Sequence, residues 1–183
     1  MSFFRLAVLV EGGLAIIAIV AGLFAGLHYW EYCWCNSGTI GQIALGLVPM
    51  IAGYFVLKAL PFSGVQRIDR LVRELFQQHM RQLNLWQLAL IAALAGIGEE
   101  LLFRGLFQLG LSNLLGVWWA ILLTSLIFGL AHAITPTYFF LAFLISNYLG
   151  FLFEQTGNLI VPIAIHALYD FFVFLYIRYT ASV

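Results

Sequence analysis

Charge is what this sequence has least of. Only 9% of its 183 residues are Asp, Glu, Lys or Arg, where soluble domains carry about 25%, so an ordinary water-soluble fold is excluded. The 8 basic and 8 acidic side chains cancel, and no overall positive field exists to recruit nucleic acid. Cysteine is scarce too. Cys33-Trp34-Cys35 gives neither a zinc-finger spacing nor a Cys-x-x-Cys redox pair; beside Trp30 and Trp34 these residues read as interfacial side chains. Internal repeats and low-complexity stretches are absent, as is the polar–apolar alternation of a membrane barrel. Neither Gly-x-Ser-x-Gly nor His-Glu-x-x-His occurs. The length suits a single integral membrane domain, residues 1–183, so any chemistry must be built from the apolar segments.

What the sequence does have is apolar length, with 63% hydrophobic residues. Stretches at Phe3–Trp30, Ile40–Leu60, Trp86–Leu111, Val117–Ile134, Tyr138–Phe153 and Leu159–Ile177 each approach the roughly 20 residues a helix needs to cross a bilayer. Helices satisfy their own backbone groups in lipid. The expected fold is therefore all-α: a polytopic bundle of about six transmembrane helices plus one amphipathic helix. In the first stretch, Arg5 precedes an apolar run, Leu6–Leu27, longer than the 7–15 residues or so of a cleaved signal. It reads as an uncleaved anchor. Gly22 and Gly26 there offer a small-xxx-small face for close helix packing.

Between the second and third stretches, Ile68, Leu71, Val72, Leu75, Phe76, Met80 and Leu83 recur on one helical face. Asp69 with Arg73, and Arg70 with Glu74, can pair along the opposite face. The segment 67–83 reads as a basic amphipathic helix attracted by anionic lipid of the cytoplasmic leaflet; the alternative is a connector packed on the bundle end. Arg5, Lys58, Arg67, Arg70, Arg73, Arg81 and Arg178 all fall on one side if both termini are cytoplasmic, as positive-inside bias requires.

Against this apolar background stand Glu99, Glu100, Arg104, His132, His166 and Asp170. A charge in mid-membrane costs about 2.5–3.5 kcal/mol on insertion scales, so these groups must face one another or a wet cavity. Glu100 and Arg104 are spaced for a helical ion pair, while Glu99, rotated about 100° away, can point into a cavity. His166 and Asp170 share the same spacing, and Asp170 can accept from an imidazole N–H and fix its tautomer. Phe128, one turn before His132, can wall the site.

A carboxylate and an imidazole converging from different helices can deprotonate a water that attacks a carbonyl, and a second imidazole can serve the oxyanion. Metal-free hydrolysis, with no cofactor, is the preferred chemistry; a His₂Glu zinc set of Glu99, His132 and His166 is the alternative. An ion- or proton-coupled transporter and plain interhelical glue use the same residue types. Ser146 and Asn147 read as interhelical hydrogen-bonding groups. Counting about 1.5 Å per residue from each span centre puts Glu99, His166 and Asp170 near the midplane and His132 roughly 10 Å nearer the cytoplasm. A conical cavity open to that side is expected.

The motifs Glu99-Glu-Leu-Leu-Phe-Arg104, Phe128-Gly-Leu-Ala-His132 and His166-Ala-Leu-Tyr-Asp170 resemble the Glu-Glu-x-x-x-Arg, Phe-x-x-x-His and His-x-x-x-Asn/Asp motifs of the type II CAAX prenyl endopeptidase and bacteriocin-processing family. Gly150, Thr156-Gly157-Asn158-Leu159 and Pro162 also look like that family's approach to the last motif. The resemblance covers about residues 86–177. It implies an intramembrane endopeptidase of the glutamate type in which Glu99 and His132 activate water and His166 and Asp170 position or stabilise the transition state. Arg104 would hold Glu100. The substrate implied is a hydrophobic or prenylated peptide or protein; the family's other associations imply non-enzymatic bacteriocin immunity or a membrane scaffold. Asp170 stands where the eukaryotic prenyl proteases have Asn. An ionised Asp cannot donate to an oxyanion, so Asp170 either stays protonated or only orients His166. The compact chain looks like a prokaryotic member, in a bacterial inner or cell membrane.

Overall fold

The chain, seen in a computed structural model that describes residues 1–180, is built from helices. They are α1 (Phe3–Phe24), α2 (Ser37–Ala59), α3 (Ser63–His79), α4 (Leu85–Glu100), α5 (Leu109–Leu115), α6 (Val117–Ala131), α7 (Pro136–Thr156) and α8 (Ile160–Thr180). Leu101–Gln108 is a π-helical stretch that joins α4 to α5 in one rod, Leu85–Leu115. Among the described residues, α1, α2, this rod, α7 and α8 are long and apolar enough to cross a membrane, which fits an integral membrane protein. The remaining apolar helix, α6, has 15 residues. It stops short of the expected Ile134, because the chain turns after His132 and restarts at Thr135-Pro136, where the Thr135 hydroxyl accepts the Tyr138 N–H.

The first span also ends early. Gly26 takes a φ of 71°, which glycine adopts without a side-chain clash, and a 3-10 turn, Tyr29–Tyr32, folds back. The Tyr29 hydroxyl donates to the Ala18 carbonyl at 2.8 Å, and its ring fills the space that a Cβ on Gly22 would occupy. Gly22 and Gly26 therefore seat an aromatic wedge and end a helix; they do not form the expected helix–helix face.

Two other glycines bring the backbones together. A Cβ on Gly96 would lie 2.8 Å from the Ile163 carbonyl oxygen of α8, and one on Gly98 would lie 2.5 Å from the Glu11 carbonyl oxygen of α1. So α4 touches α8 and α1 with no side chain between, the close approach that small residues permit in membranes. Asn84 starts α4 with a reciprocal cap: its side chain accepts the Gln87 N–H at 3.1 Å while Gln87 accepts the Asn84 N–H at 3.0 Å.

Helix α3 is amphipathic as expected, but its apolar stripe closes on the bundle. Phe76 and Met80 are buried with Ile177, against Phe3, Phe4 and Phe174, as in the packed-connector alternative. Its polar side is tied down by Asp69, which accepts from Lys58 at 3.2 Å and from Arg73 at 2.8 Å. Partial burial opposes ionisation of Asp69, but those hydrogen bonds and charges outweigh it and hold the carboxyl below the usual carboxylate range.

Gly98→Ala should lower stability by about 1–3 kcal/mol through overpacking, read as an earlier thermal unfolding in detergent. Gly53→Ala, with nothing within 4 Å of the new Cβ, should cause no loss. Because the folded pKa of Asp69 is depressed, its contribution is complete above the unfolded value of about 3.9 and fades as pH falls through the folded one. Hydrogen-exchange protection factors of α3, which are corrected for the intrinsic pH dependence of exchange, should thus be unchanged between pH 7 and pH 5 and fall on stronger acidification. In Asp69→Asn that acid step should vanish.

Candidate active site

The ionisable groups meet where α4, α6 and α8 converge. Glu100 and Arg104 are fully buried, with Arg104 Nε 3.0 Å from Glu100 Oε2. A charge pair this dry is kept only if further partners satisfy it. Arg104 supplies one by donating from Nη2 to the Ser146 carbonyl at 2.8 Å and to its hydroxyl at 3.1 Å. The guanidinium also lies 5.5 Å from the Phe128 ring, within cation–π range. Arg104 sits in the π-helical stretch, where the Leu109 N–H reaches back five residues to the Arg104 carbonyl. Such widened turns recur at functional sites because they re-aim side chains without breaking the helix.

The second oxygen of Glu100 accepts from His166 Nδ1 at 2.7 Å. This corrects the expected partner: Asp170 Oδ2 lies 3.6 Å from His166 Nε2, beyond hydrogen-bond reach. The close α4–α8 approach at Gly96 lets a carboxylate from another helix claim the imidazole first. Asp170 stays beside the ring without orienting it.

His132 caps the end of α6. Its Nδ1 is 2.8 Å from the Phe128 carbonyl, which can only accept, so Nδ1 carries the proton and neutral His132 presents a lone pair at Nε2. The ring stacks on Phe128 with centroids 4.3 Å apart, the wall expected from their spacing. The roughly 10 Å offset expected in depth is not found: His132 Nε2 lies 3.8 Å from Glu99 Oε2. The offset assumed a full-length fourth span, and α6 is short.

Glu99 is where the groups converge. Its Oε2 is buried and, among the described residues, has no hydrogen-bond partner. It lies 3.8 Å from His132 Nε2 and 3.9 Å from His166 Nε2. The open side is formed by His132 and Asp170, whose side chains are 27% and 29% exposed. Among the described residues no group of three or more His, Cys, Asp or Glu side chains is arranged to hold a metal ion.

Two further residues belong to this neighbourhood. Glu11 of α1 interacts electrostatically with Asp170, His166 and Glu99, and its Oε2 is a buried atom without a hydrogen-bond partner among the described residues. Its signal in the sequence is a lone carboxylate within an apolar run. Tyr138 of α7 stands edge-on to His132 at 6.1 Å between centroids, and no motif marks it. Ser146 bridges helices as expected. Asn147 does not: its Nδ2 donates to the Phe143 carbonyl of its own helix at 2.9 Å.

Arg104→Met leaves Glu100 buried and unpaired and should cost about 3–5 kcal/mol, measured as a lower unfolding midpoint. Adding Glu100→Gln should recover part of that loss. An unaltered midpoint in the single variant would show that the pair is not structural.

A model of the Rce1-like family, described as type II CAAX prenyl endopeptidase Rce1-like, matches residues 81–172, half of the chain. The match takes in Glu99, Glu100, Arg104, His132, His166 and Asp170, and leaves α1, α2 and α3 outside. No curated protein and no solved structure matches the chain.

Proposed function

The chain belongs to the Rce1-like family of type II CAAX prenyl endopeptidases, and on that premise we propose that it hydrolyses a peptide bond of a lipid-modified or hydrophobic polypeptide with water activated by Glu99 and His132. One observation carries the reading. The unpartnered Glu99 oxygen stands 3.8 and 3.9 Å from two imidazole nitrogens, too far for direct hydrogen bonds and suited to a water among them.

Such a water gives one hydrogen to Glu99 Oε2 and the other to the His132 Nε2 lone pair. Its oxygen attacks the scissile carbonyl carbon, and Glu99 takes the proton. The carbonyl oxygen becomes an oxyanion. His166, whose Nδ1–H is committed to Glu100, meets it with an Nε2–H when the ring carries both protons. When the C–N bond breaks, Glu99 returns its proton to the leaving amine. Asp170 balances the charge on His166 and needs to donate to nothing.

The proposed setting is a bacterial cell membrane with both termini cytoplasmic, anionic lipid beside residues 67–83, and a substrate that arrives from the bilayer. The chemistry is proposed as metal-free.

With a farnesylated CAAX-type peptide or another hydrophobic peptide as substrate, Glu99→Gln should cut kcat/KM by at least about 10²-fold with no change in unfolding midpoint. His132→Ala should cause a loss of the same order. Full activity in Glu99→Gln would remove the general-base assignment. Activity lost to a chelator and restored by zinc would replace the metal-free reading with a zinc set of Glu99, His132 and His166.

A further inference from the structure

An apolar cavity of about 250 Å³ lies between α3 and the ends of α7 and α8. Val72 and Phe76 of α3, Tyr138 of α7 and Phe174 of α8 line its interior, with Leu75 and Ile134 at its rim. Phe76 is buried in the floor, while Leu75 and Ile134 are exposed, so the cavity is closed below and open above. It adjoins the catalytic centre on three counts. Tyr138 lines the cavity and stands edge-on to His132. The Ile134 N–H donates to the His132 carbonyl at 2.8 Å. Phe174 follows Asp170 by one turn of α8.

Size and chemistry limit the occupant. Apolar cavities of about 150 Å³ take benzene, so on that scale this one holds roughly ten carbon atoms. That is one large aliphatic or aromatic side chain. A longer lipid chain would leave its far end outside. The walls are apolar apart from Thr135, His79 and the Tyr138 hydroxyl.

We infer that this cavity is a substrate subsite that takes one bulky apolar side chain of the polypeptide close to the scissile bond. The inference rests on the protease reading and adds a specificity to it. Helix α3, outside the stretch matched by the family, forms one wall. Substrate choice is then set by a segment that supplies none of the reacting groups.

The test uses the full chain in detergent and two series of synthetic peptides, one with a farnesylated cysteine and one without. Within each series a single residue is Ala, Leu or Trp. Val72→Trp fills the interior; Leu75→Trp, at an exposed position that tolerates bulk, narrows the rim. Unfolding midpoints confirm that each variant folds. The wild type should prefer Leu or Trp over Ala in kcat/KM, and Val72→Trp should lower kcat/KM for the Leu and Trp peptides about tenfold or more through KM, leaving the Ala peptide unchanged. Leu75→Trp should act in the same direction. Equal effects on all three peptides, or none, in a wild type whose cleavage depends on Glu99 would overturn the subsite and leave the protease reading standing. Failure of the wild type to cleave any peptide of either series would overturn the protease reading and the subsite with it.

Discussion

A carboxylate and a guanidinium sealed from solvent, Glu100 and Arg104, fix the geometry of everything around them. Neither can be there alone: an unpaired ion in this interior costs several kcal/mol. Each also reaches outward, Arg104 through Nη2 to Ser146 of α7 and Glu100 through Oε1 to His166 of α8. The pair ties three elements together and decides which nitrogen of His166 is left to face Glu99. An apolar pair of equal volume can serve stability as well, but it would leave that imidazole without a holder.

Close backbone approach makes this possible. Gly96 and Gly98 remove side chains on either side of α4 just before the two carboxylates, so α8 and α1 come near enough for side chains of ordinary length to meet. Arg104, in the π-helical stretch that follows, pairs with Glu100. Glu99, one residue earlier, is left facing the gap. Adjacent acids thereby take opposite tasks: one is neutralised and structural, the other unpartnered beside two imidazoles.

Much of this was legible in the chain itself. Apolar length gave the helices, and costly charges within them marked the site. Intervals of four residues gave the Glu100–Arg104 pair and the Phe128–His132 stack. Helix ends were less legible where a single residue redirects the backbone, as at Gly26, or where a helix is simply short, as in α6. The holder of His166 was not legible at all, because spacing within α8 offers Asp170 while the tertiary approach at Gly96 delivers Glu100. Glu11 carried a related signal, a lone acid in an apolar run, but nothing in its own helix marks a partner. Tyr138 is one aromatic among many, and only the turn after α6 sets it against His132.

The central claim is that Glu99 and His132 act on one water, and a double-substitution cycle on kcat/KM tests it most directly. Groups that act as a unit are strongly non-additive. If they share the water, Glu99→Gln combined with His132→Ala will lose little more than the worse of the two single variants. Losses that multiply in full would mean that the two side chains act independently, and the shared-water centre would be wrong.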